Sequence, residues 1–136
     1  MMQFNACWTQ IDQKRKDKFF ARDFMCWEPS ENAQVWWLAL EDWMIGQLDM
    51  GGYEIVDFEG GLYAAAVCDN SDPSDFARAY EGIGEWIAEN QGVVIDDRLG
   101  HRVMNHVICT DLRAGGWKDR QAALYVPIQS TKAMPD

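Results

Sequence analysis

The sequence predicts an α+β fold, an antiparallel sheet with helices packed on one face. Three patterns lead to this prediction. Amphipathic helical spacing occurs twice, and each time an apolar stretch with a glycine turn follows. The run GGYEIVDFEGGLYAAAV, residues 51–67, carries apolar side chains in both alternating positions. The segment QAALYVPI, residues 121–128, places aliphatic residues at every second position, as a strand with one buried face does.

Composition limits both the size of the fold and the class of partner. The chain has 136 residues, 48% of them hydrophobic, which is enough for one domain with a real core. It carries 12 lysines and arginines against 22 aspartates and glutamates, a net charge of −10. Such a field repels phosphate backbones, so we expect no direct DNA binding and favour a neutral or cationic partner.

Cysteine and histidine usage gives no sign of a metal or cofactor site. The four cysteines lie far apart and include no Cys-x-x-Cys pair; they are Cys7, Cys26, Cys68 and Cys109. His101 and His106 have no further ligand at metal-binding spacing. No signal-peptide pattern precedes these residues, and no apolar run reaches the roughly 20 residues that span a bilayer. We therefore expect buried thiols in a cytoplasmic protein, with no metal, cofactor or membrane contact.

The first 18 residues are predicted to form a helical arm before a domain at 19–136. The i, i+3, i+4, i+7 pattern of an amphipathic helix is met by Phe4, Cys7, Trp8 and Ile11. A basic run at 14–18 ends this helix and is interpreted as a solvated surface. The aromatic-rich segment at 19–27 is short enough to be a strand.

A second helix is predicted over residues 31–44. Ser30 stands where a helix N-cap is expected, after the break at Glu28-Pro29. The predicted buried stripe consists of Trp36, Ala39, Leu40, Trp43 and Met44. Trp37 lies off that stripe, so it either lines a hollow or covers a second surface.

The glycine-bracketed run predicts a hairpin. Residues 53–58 form its first strand, Glu59-Gly60-Gly61 its turn with positive φ, and residues 62–67 its second strand. Both faces of this hairpin are apolar. One face can meet helices, so the other needs cover from another element, a partner chain or a ligand.

Asp72-Pro73 predicts the start of a third helix, because aspartate caps a helix and proline suits its first position. Gly92 is the expected end signal. The predicted buried stripe consists of Phe76, Ala79, Tyr80, Ile83, Trp86 and Ile87. Gly82 and Gly84 each cost about 1 kcal/mol relative to alanine inside a helix. We therefore expect close packing, or a bound molecule, against that backbone.

A second hairpin is predicted from residues 93–97 and 102–109, with its turn at Leu99-Gly100. In the last strand Tyr125 faces away from the aliphatic side, and Pro127 marks the strand's end. The two halves then repeat as strand-helix-strand-strand units. Such a duplication gives an antiparallel sheet with two helices on one face, and it leaves the other face, or the groove between the units, partly open.

The residues also carry a family resemblance. The run GGYEIVDFEGGLYA, the tryptophan-ended helices, the GHRVMNHV strand and the terminal ALYVPI together resemble gyrase-inhibitor-like small-molecule-binding domains. These domains also serve as effector-binding domains of AraC-type and multidrug-responsive transcription regulators. The resemblance covers about residues 19–129. It implies the duplicated fold and non-catalytic binding of a lipophilic, often cationic, compound in a central cleft.

Two departures from the family pattern affect the expected function. Only some 18 residues precede the first predicted strand, too few for the usual three-helix DNA-binding unit, so a stand-alone receptor is expected. Many drug-binding members place a glutamate in the second hairpin, where it meets a cationic ligand. The matching stretch at 100–107 has Met104, Asn105 and His106 instead.

Matching positions give the expected cleft residues. The ring and thioether candidates are Trp27, Trp37, Tyr63, Met104, His106 and Tyr125, and the candidate counter-charges are Glu28 and Glu54. Rings hold flat or quaternary ligands by dispersion and cation–π attraction. The alternative for each ring is plain core packing.

Three other functions stay open at the level of sequence. Some relatives hydrolyse small strained substrates, for which His106 with Tyr125 or Glu28 is the candidate acid–base pair. A passive module would pair its open face with another protein or with a second copy, as a homodimer. Haem binding would need His101 or His106 as axial ligand and has the least support.

Overall fold

The structure is a computed structural model that describes residues 2–16, 23–98, 102–108 and 121–131. It confirms an α+β fold with an antiparallel sheet. The elements are α1 (Met2–Lys14), β1 (Asp23–Glu28), β2 (Ala33–Leu38), a 3-10 turn (Asp42–Met44), β3 (Leu62–Asp69), α2 (Pro73–Glu89), β4 (Val93–Ile95), β5 (Met104–Ile108) and β6 (Gln121–Ser130).

The sheet is organised around β6. Its strand order is β2-β1-β5-β6-β3, and β4 pairs with the far end of β6. Along one side β6 pairs with β3, from Leu62↔Ile128 to Asp69↔Gln121. Along its other side β6 pairs first with β5 and then with β4. Three of the other five strands in the described parts of the chain therefore pair with β6.

Helix α2 covers one face of this sheet, and the core lies between them. The alternating positions of β6 predicted to face the core do so: Leu124 is fully buried and Val126 and Ile128 nearly so. From the helix, Ala79 and Ile83 reach the same cluster. The predicted helix start is confirmed, since the Asp72 carboxylate accepts hydrogen bonds from the backbone N–H groups of Ser74 and Asp75.

The predicted helix over 31–44 is wrong. Residues 33–38 form β2, which pairs with β1 from Asp23↔Leu38 to Glu28↔Ala33. Only Asp42–Met44 is helical, as a single 3-10 turn. Residues 33–38 form a strand instead of a helix for two reasons. The segment AQVWWL contains valine and two tryptophans, which favour strands, and β1 pairs with it along its whole length.

Ser30 supports a tight turn between β1 and β2 instead of capping a helix. Its N–H and hydroxyl donate to Glu28 Oε1 at 3.1 and 2.7 Å. Asn32 completes the turn with φ of 50°, a left-handed conformation that asparagine adopts more readily than most residues. The sequence predicts that Ser30 forms local hydrogen bonds, but it predicts them at the start of a helix and not in a turn between two strands.

Both predicted hairpins are also wrong. Residues 53–61 belong to no strand, and β3 pairs with β6. Positive φ occurs at Gly51 and Gly52, with values of 63° and 78°, and not at Gly60. Strands β4 and β5 likewise pair with β6 and not with each other. The ten-residue β6 is long enough to pair with β5 and β4 one after the other along the same side. The predicted turn at 99–100 lies outside the described residues.

The expected strand-helix-strand-strand unit occurs once among the described residues, in the second half of the chain, where β3, α2, β4 and β5 follow in order. In the first half no α-helix lies between the strands, and only the 3-10 turn separates β2 from β3. The close packing expected at Gly82 and Gly84 is absent among the described residues, because outside the neighbouring backbone of the same helix no described atom lies within 4 Å of where a Cβ would stand at either. Pro127 does not end its strand, which runs to Ser130.

Helix α1 is confirmed and packs on the β2 side of the molecule. The ring of Phe4 lies 4.8 Å from that of Trp36 and 5.0 Å from that of Tyr53, centre to centre. After the helix, the Arg15 guanidinium donates to the Ala39 carbonyl oxygen. The Lys16 ammonium stands 4.6 Å over the Trp43 ring. The first residues of the basic run therefore hold the arm in place, while residues 17–18 lie outside the described part.

Candidate functional site

The face of the sheet turned away from α2 carries a set of rings. Directly paired residues of antiparallel strands point to the same side. Because Leu124 faces α2, its neighbour Tyr125 and the paired Met104 face the other way. The same reasoning through β1, β2 and β3 puts further residues on this side. We call its five rings and one thioether the aromatic face, which consists of Phe24, Trp37, Tyr63, Met104, His106 and Tyr125.

Five of the eight predicted site residues lie on the aromatic face, and three of its rings are linked through Phe24. The Phe24 ring lies 6.0 Å from the Tyr125 ring and 6.0 Å from that of His106. Tyr125 in turn meets Tyr63 edge to face at 6.4 Å. The sheet thus brings together rings that lie far apart in the sequence.

His106 is held in one orientation by the start of β1. Its Nδ1 lies 2.8 Å from the Asp23 carbonyl oxygen and 3.3 Å from Asp23 Oδ1. A carbonyl oxygen only accepts, so Nδ1 carries the hydrogen in this contact. The side chain is largely buried, and its ordering fits a structural role in the aromatic face.

A cavity of about 410 Å³ opens beside the aromatic face, between α1, β2 and the segment 50–58. We call it the aromatic cavity, because six rings line it: Phe4, Phe24, Trp36, Trp37, Tyr53 and Phe58. The predicted site residues Trp37, Met104 and Glu54 belong to its lining. It does not lie at a junction between two repeats, where the cleft was expected.

The charged groups of the aromatic cavity are all acidic. Asp42, Glu54 and Asp57 line it, and none of its described lining residues is lysine, arginine or histidine. All three acids are exposed, so their carboxylates stand at the water-facing rim. Carboxylates at the mouth of an apolar hollow concentrate negative potential there and attract cations.

The segment 50–58 forms one wall of the cavity without belonging to the sheet. Gly51 and Gly52 turn the chain into it, and a Cβ on Gly51 would lie 3.3 Å from Cys7 Sγ and from the Tyr53 ring. Side-chain contacts then hold the segment, among them Phe58 on Trp37 at 5.7 Å. Ile55 and Val56 are about half exposed. Few buried contacts and no ladder make this the wall that opens most easily.

Glu28 and Trp27 lie outside the cavity. The Glu28 carboxylate forms an ion pair with the Arg102 guanidinium, which also reaches the Trp27 carbonyl oxygen at 3.5 Å. Hydrogen bonds from Ser30, and then the Arg102 pair, lower the pKa of Glu28 to about 2. Its charge is therefore already compensated within the chain. The Trp27 side chain points to the opposite side from Cys26 and is 50% exposed.

Tyr63 stands at the far end of the aromatic face. Its hydroxyl is buried and has no hydrogen-bond partner among the described residues. Burial, and then the nearby Asp96 charge, raise the pKa of Tyr63. Asp96 is itself buried, and the Arg98 guanidinium holds both of its oxygens through Nε at 2.9 and 3.0 Å and Nη2 at 2.6 Å.

Sequence reasoning missed several cavity residues. The alternating pattern predicts a strand at Tyr53, Asp57 and Phe58. The same pattern does indicate that a second apolar face of this segment needs cover. Phe24 is separated from its ring partners by about 80 to 100 residues in the chain. Only the register of β1 with β5 and β6 brings it to them, and no local signal carries that information.

The described residues show no group of three or more His, Cys, Asp and Glu side chains that is able to hold a metal ion. Cys26 and Cys68 are buried and Cys7 partly so, and in each case burial is the main cause that raises the thiol pKa. His101 and Cys109 lie outside the described residues. In the described helices, length and apolar character fall short of what a membrane span needs.

Comparisons of the chain with protein-family models, with curated proteins and with solved structures found no match.

Proposed function

We propose that this protein is a non-catalytic receptor for a lipophilic cation and that the aromatic cavity is its binding site. The observation that carries the proposal is the lining, in which six rings and three carboxylates occur together with no basic residue. A volume of about 410 Å³ falls within the range of pockets that hold drug-sized molecules.

The aromatic and the acidic lining residues would contribute to recognition in different ways. Rings such as Trp37 and Phe58 take up the apolar body of a ligand and attract its positive charge, with roughly 0.5 to 2 kcal/mol for each cation–π contact. Asp42, Glu54 and Asp57 supply the counter-charge at the rim. Because the rim stays wet, these carboxylates add mainly selectivity for cations and speed of association.

The resemblance to gyrase-inhibitor-like domains supports the same class of ligand, with a different placement of the acidic groups. The stretch 100–107 lacks the glutamate that many drug-binding members use. In this chain the carboxylates near the rings come from the 3-10 turn and from segment 50–58. The stand-alone effector-binding role thus remains part of the proposal.

The hydrolase alternative has less support. Glu28 is paired with Arg102 and does not line the cavity, and His106 Nδ1 is engaged with Asp23. The remaining candidate, Tyr125, meets rings on two sides. None of the three candidates lines the aromatic cavity.

The test uses tetraphenylphosphonium as a cationic probe and triphenylphosphine oxide as a neutral probe of related shape. Isothermal titration calorimetry and quenching of tryptophan fluorescence measure the two affinities. We expect the wild type to prefer the cation, Trp37→Leu to weaken both probes by about tenfold or more, and a triple Asp42→Asn, Glu54→Gln, Asp57→Asn variant to lose the preference.

Trp27→Leu is the matched control, because Trp27 is exposed and lies outside the cavity. It should leave both affinities unchanged. The proposal fails if neither probe binds saturably, if Trp27→Leu weakens binding as much as Trp37→Leu does, or if the triple variant keeps the cation preference. Conversion of a bound compound, seen by mass spectrometry, would instead favour an enzyme.

A further inference from the structure

Strand β3 forms an edge of the sheet that lacks the usual protection. Among the described residues it pairs only with β6. Natural edges are commonly blocked by lysine, proline, a bulge or a covering element. The stretch LYAAAVC, residues 62–68, contains no charge and no proline, and Leu62 and Val67 are 60% and 52% exposed. As far as the chain is described, this edge is therefore open to pairing with another strand.

An apolar groove of about 360 Å³ runs between this edge and α2. Small side chains form it: Ala64 and Ala66 from the strand, and Ala79 and Gly82 from the helix. Trp86 also lines the groove and is 47% exposed. An exposed tryptophan beside an unfilled apolar hollow is a surface that gains from being covered.

We propose that a second copy of this chain covers both features, in a two-fold symmetric dimer. The two β3 strands pair antiparallel and join the sheets into one. The two α2 helices then lie side by side and antiparallel on the same face. Gly82, which has no described atom within 4 Å of its Cβ position, lets the helices approach closely.

One symmetry axis satisfies the strand and the helix together. The midpoint of β3 falls between Ala65 and Ala66, which both line the groove, and that of α2 falls at Glu81, next to the groove residue Gly82. In a two-fold interface each element crosses its own copy on the symmetry axis, and a crossing near the middle of β3 and of α2 gives both elements their longest overlap. Directly paired antiparallel residues point to the same face, so in the strand pair the axis passes through Ala65 or Ala66. An unrelated partner places no such condition on the chain.

The charges of α2 fit the same axis. Arg78 and Glu85 are equally distant in sequence from the point between Glu81 and Gly82. An antiparallel crossing there brings Arg78 beside the partner's Glu85, and by symmetry forms the pair twice. Within one chain these two residues lie two helical turns, about 10 Å, apart and do not meet. The complementarity therefore exists only between copies, in a protein whose net charge of −10 otherwise opposes self-association.

The experiment measures mass by analytical ultracentrifugation over a dilution series, with circular dichroism to verify folding. We expect a dimer that dissociates on dilution. Val67→Lys places a charge on the exposed edge and should leave only monomer. Val94→Lys is the matched control, since Val94 is also exposed, at 43%, and lies on β4; it should leave the dimer intact.

A charge exchange separates this interface from others. Arg78→Glu should weaken the dimer about tenfold or more, and Arg78→Glu combined with Glu85→Arg should restore it. The ion pair of Arg78 with Asp75 in the same chain, at 2.6 Å, is lost in both variants and so does not account for rescue. The proposal is overturned by a wild type that stays monomeric to about 1 mM, by a folded Val67→Lys dimer, or by the absence of rescue. None of these readouts depends on ligand binding.

Discussion

The indole of Trp37 and the ring of Phe58 meet edge to face, with centres 5.7 Å apart and planes inclined at 66°. This contact joins β2 to a wall segment that has no strand partner of its own. Side chains therefore replace backbone hydrogen bonds in closing this side of the aromatic cavity. The accessibility of the cavity depends on contacts of this kind.

Phe58→Ala should loosen the wall segment without unfolding the sheet. An aromatic pair is worth about 0.5 to 1.5 kcal/mol beyond the area it buries. We expect faster cleavage within residues 53–58 in limited proteolysis, measured by mass spectrometry, and unchanged cleavage in α2. Val56→Ala, at a half-exposed position with no ring partner, should have a smaller effect. Equal cleavage in wild type and Phe58→Ala would show that the ring pair does not hold the segment.

Glu28 should make stability depend on pH in the acidic range. Its folded-state pKa, about 2, lies below the ordinary value of 4.5 because of the Ser30 and Arg102 contacts. The stabilisation is therefore complete above about pH 4.5 and is lost as the pH falls toward 2. In urea unfolding, Glu28→Gln should be less stable than wild type at pH 7, with a difference that shrinks between these values. Glu31→Gln, at an exposed position in the same turn, is the control; a gap that stays constant with pH would contradict the assignment.

Gly84→Ala should stabilise the protein. Gly84 is exposed in the middle of α2, and nothing described lies within 4 Å of its Cβ position. Alanine saves up to about 1 kcal/mol in a helix interior because the unfolded glycine chain has more freedom to lose. Chemical denaturation should show this gain, and Ala77→Gly, at an exposed position of the same helix, should show a loss of similar size. A less stable Gly84→Ala variant would mean that something does approach this backbone.

The sequence predicted those elements whose signals are local. Helix α2 begins at its Asp72 cap and Pro73, and β6 alternates as a strand with one face on a core. The helical stripe through Trp36 and Met44 matched its template equally well and was wrong. The spacing of residues in the sequence carries no information about β1 as a strand partner. The pairing with β1 determines the conformation of residues 33–38.

The candidate site was predicted in part for a related reason. Trp37, Met104 and His106 were placed near one another, and strand register does put them on one face of the sheet. Which rings surround a hollow depends on the route of segment 50–58. The alternating pattern of this segment predicts two apolar faces. It does not distinguish a strand in a sheet from an irregular segment that is held by side-chain contacts.

The central position of β6 also bears on how the chain is made. Residues 121–130 provide the ladder for β3, β4 and β5, which precede them in the chain by as many as about 60 residues. A ribosome must therefore release residue 130 from its exit tunnel before the sheet is able to close. Until then β3 and β5 lack this neighbour, and unpaired strand edges of this kind favour aggregation.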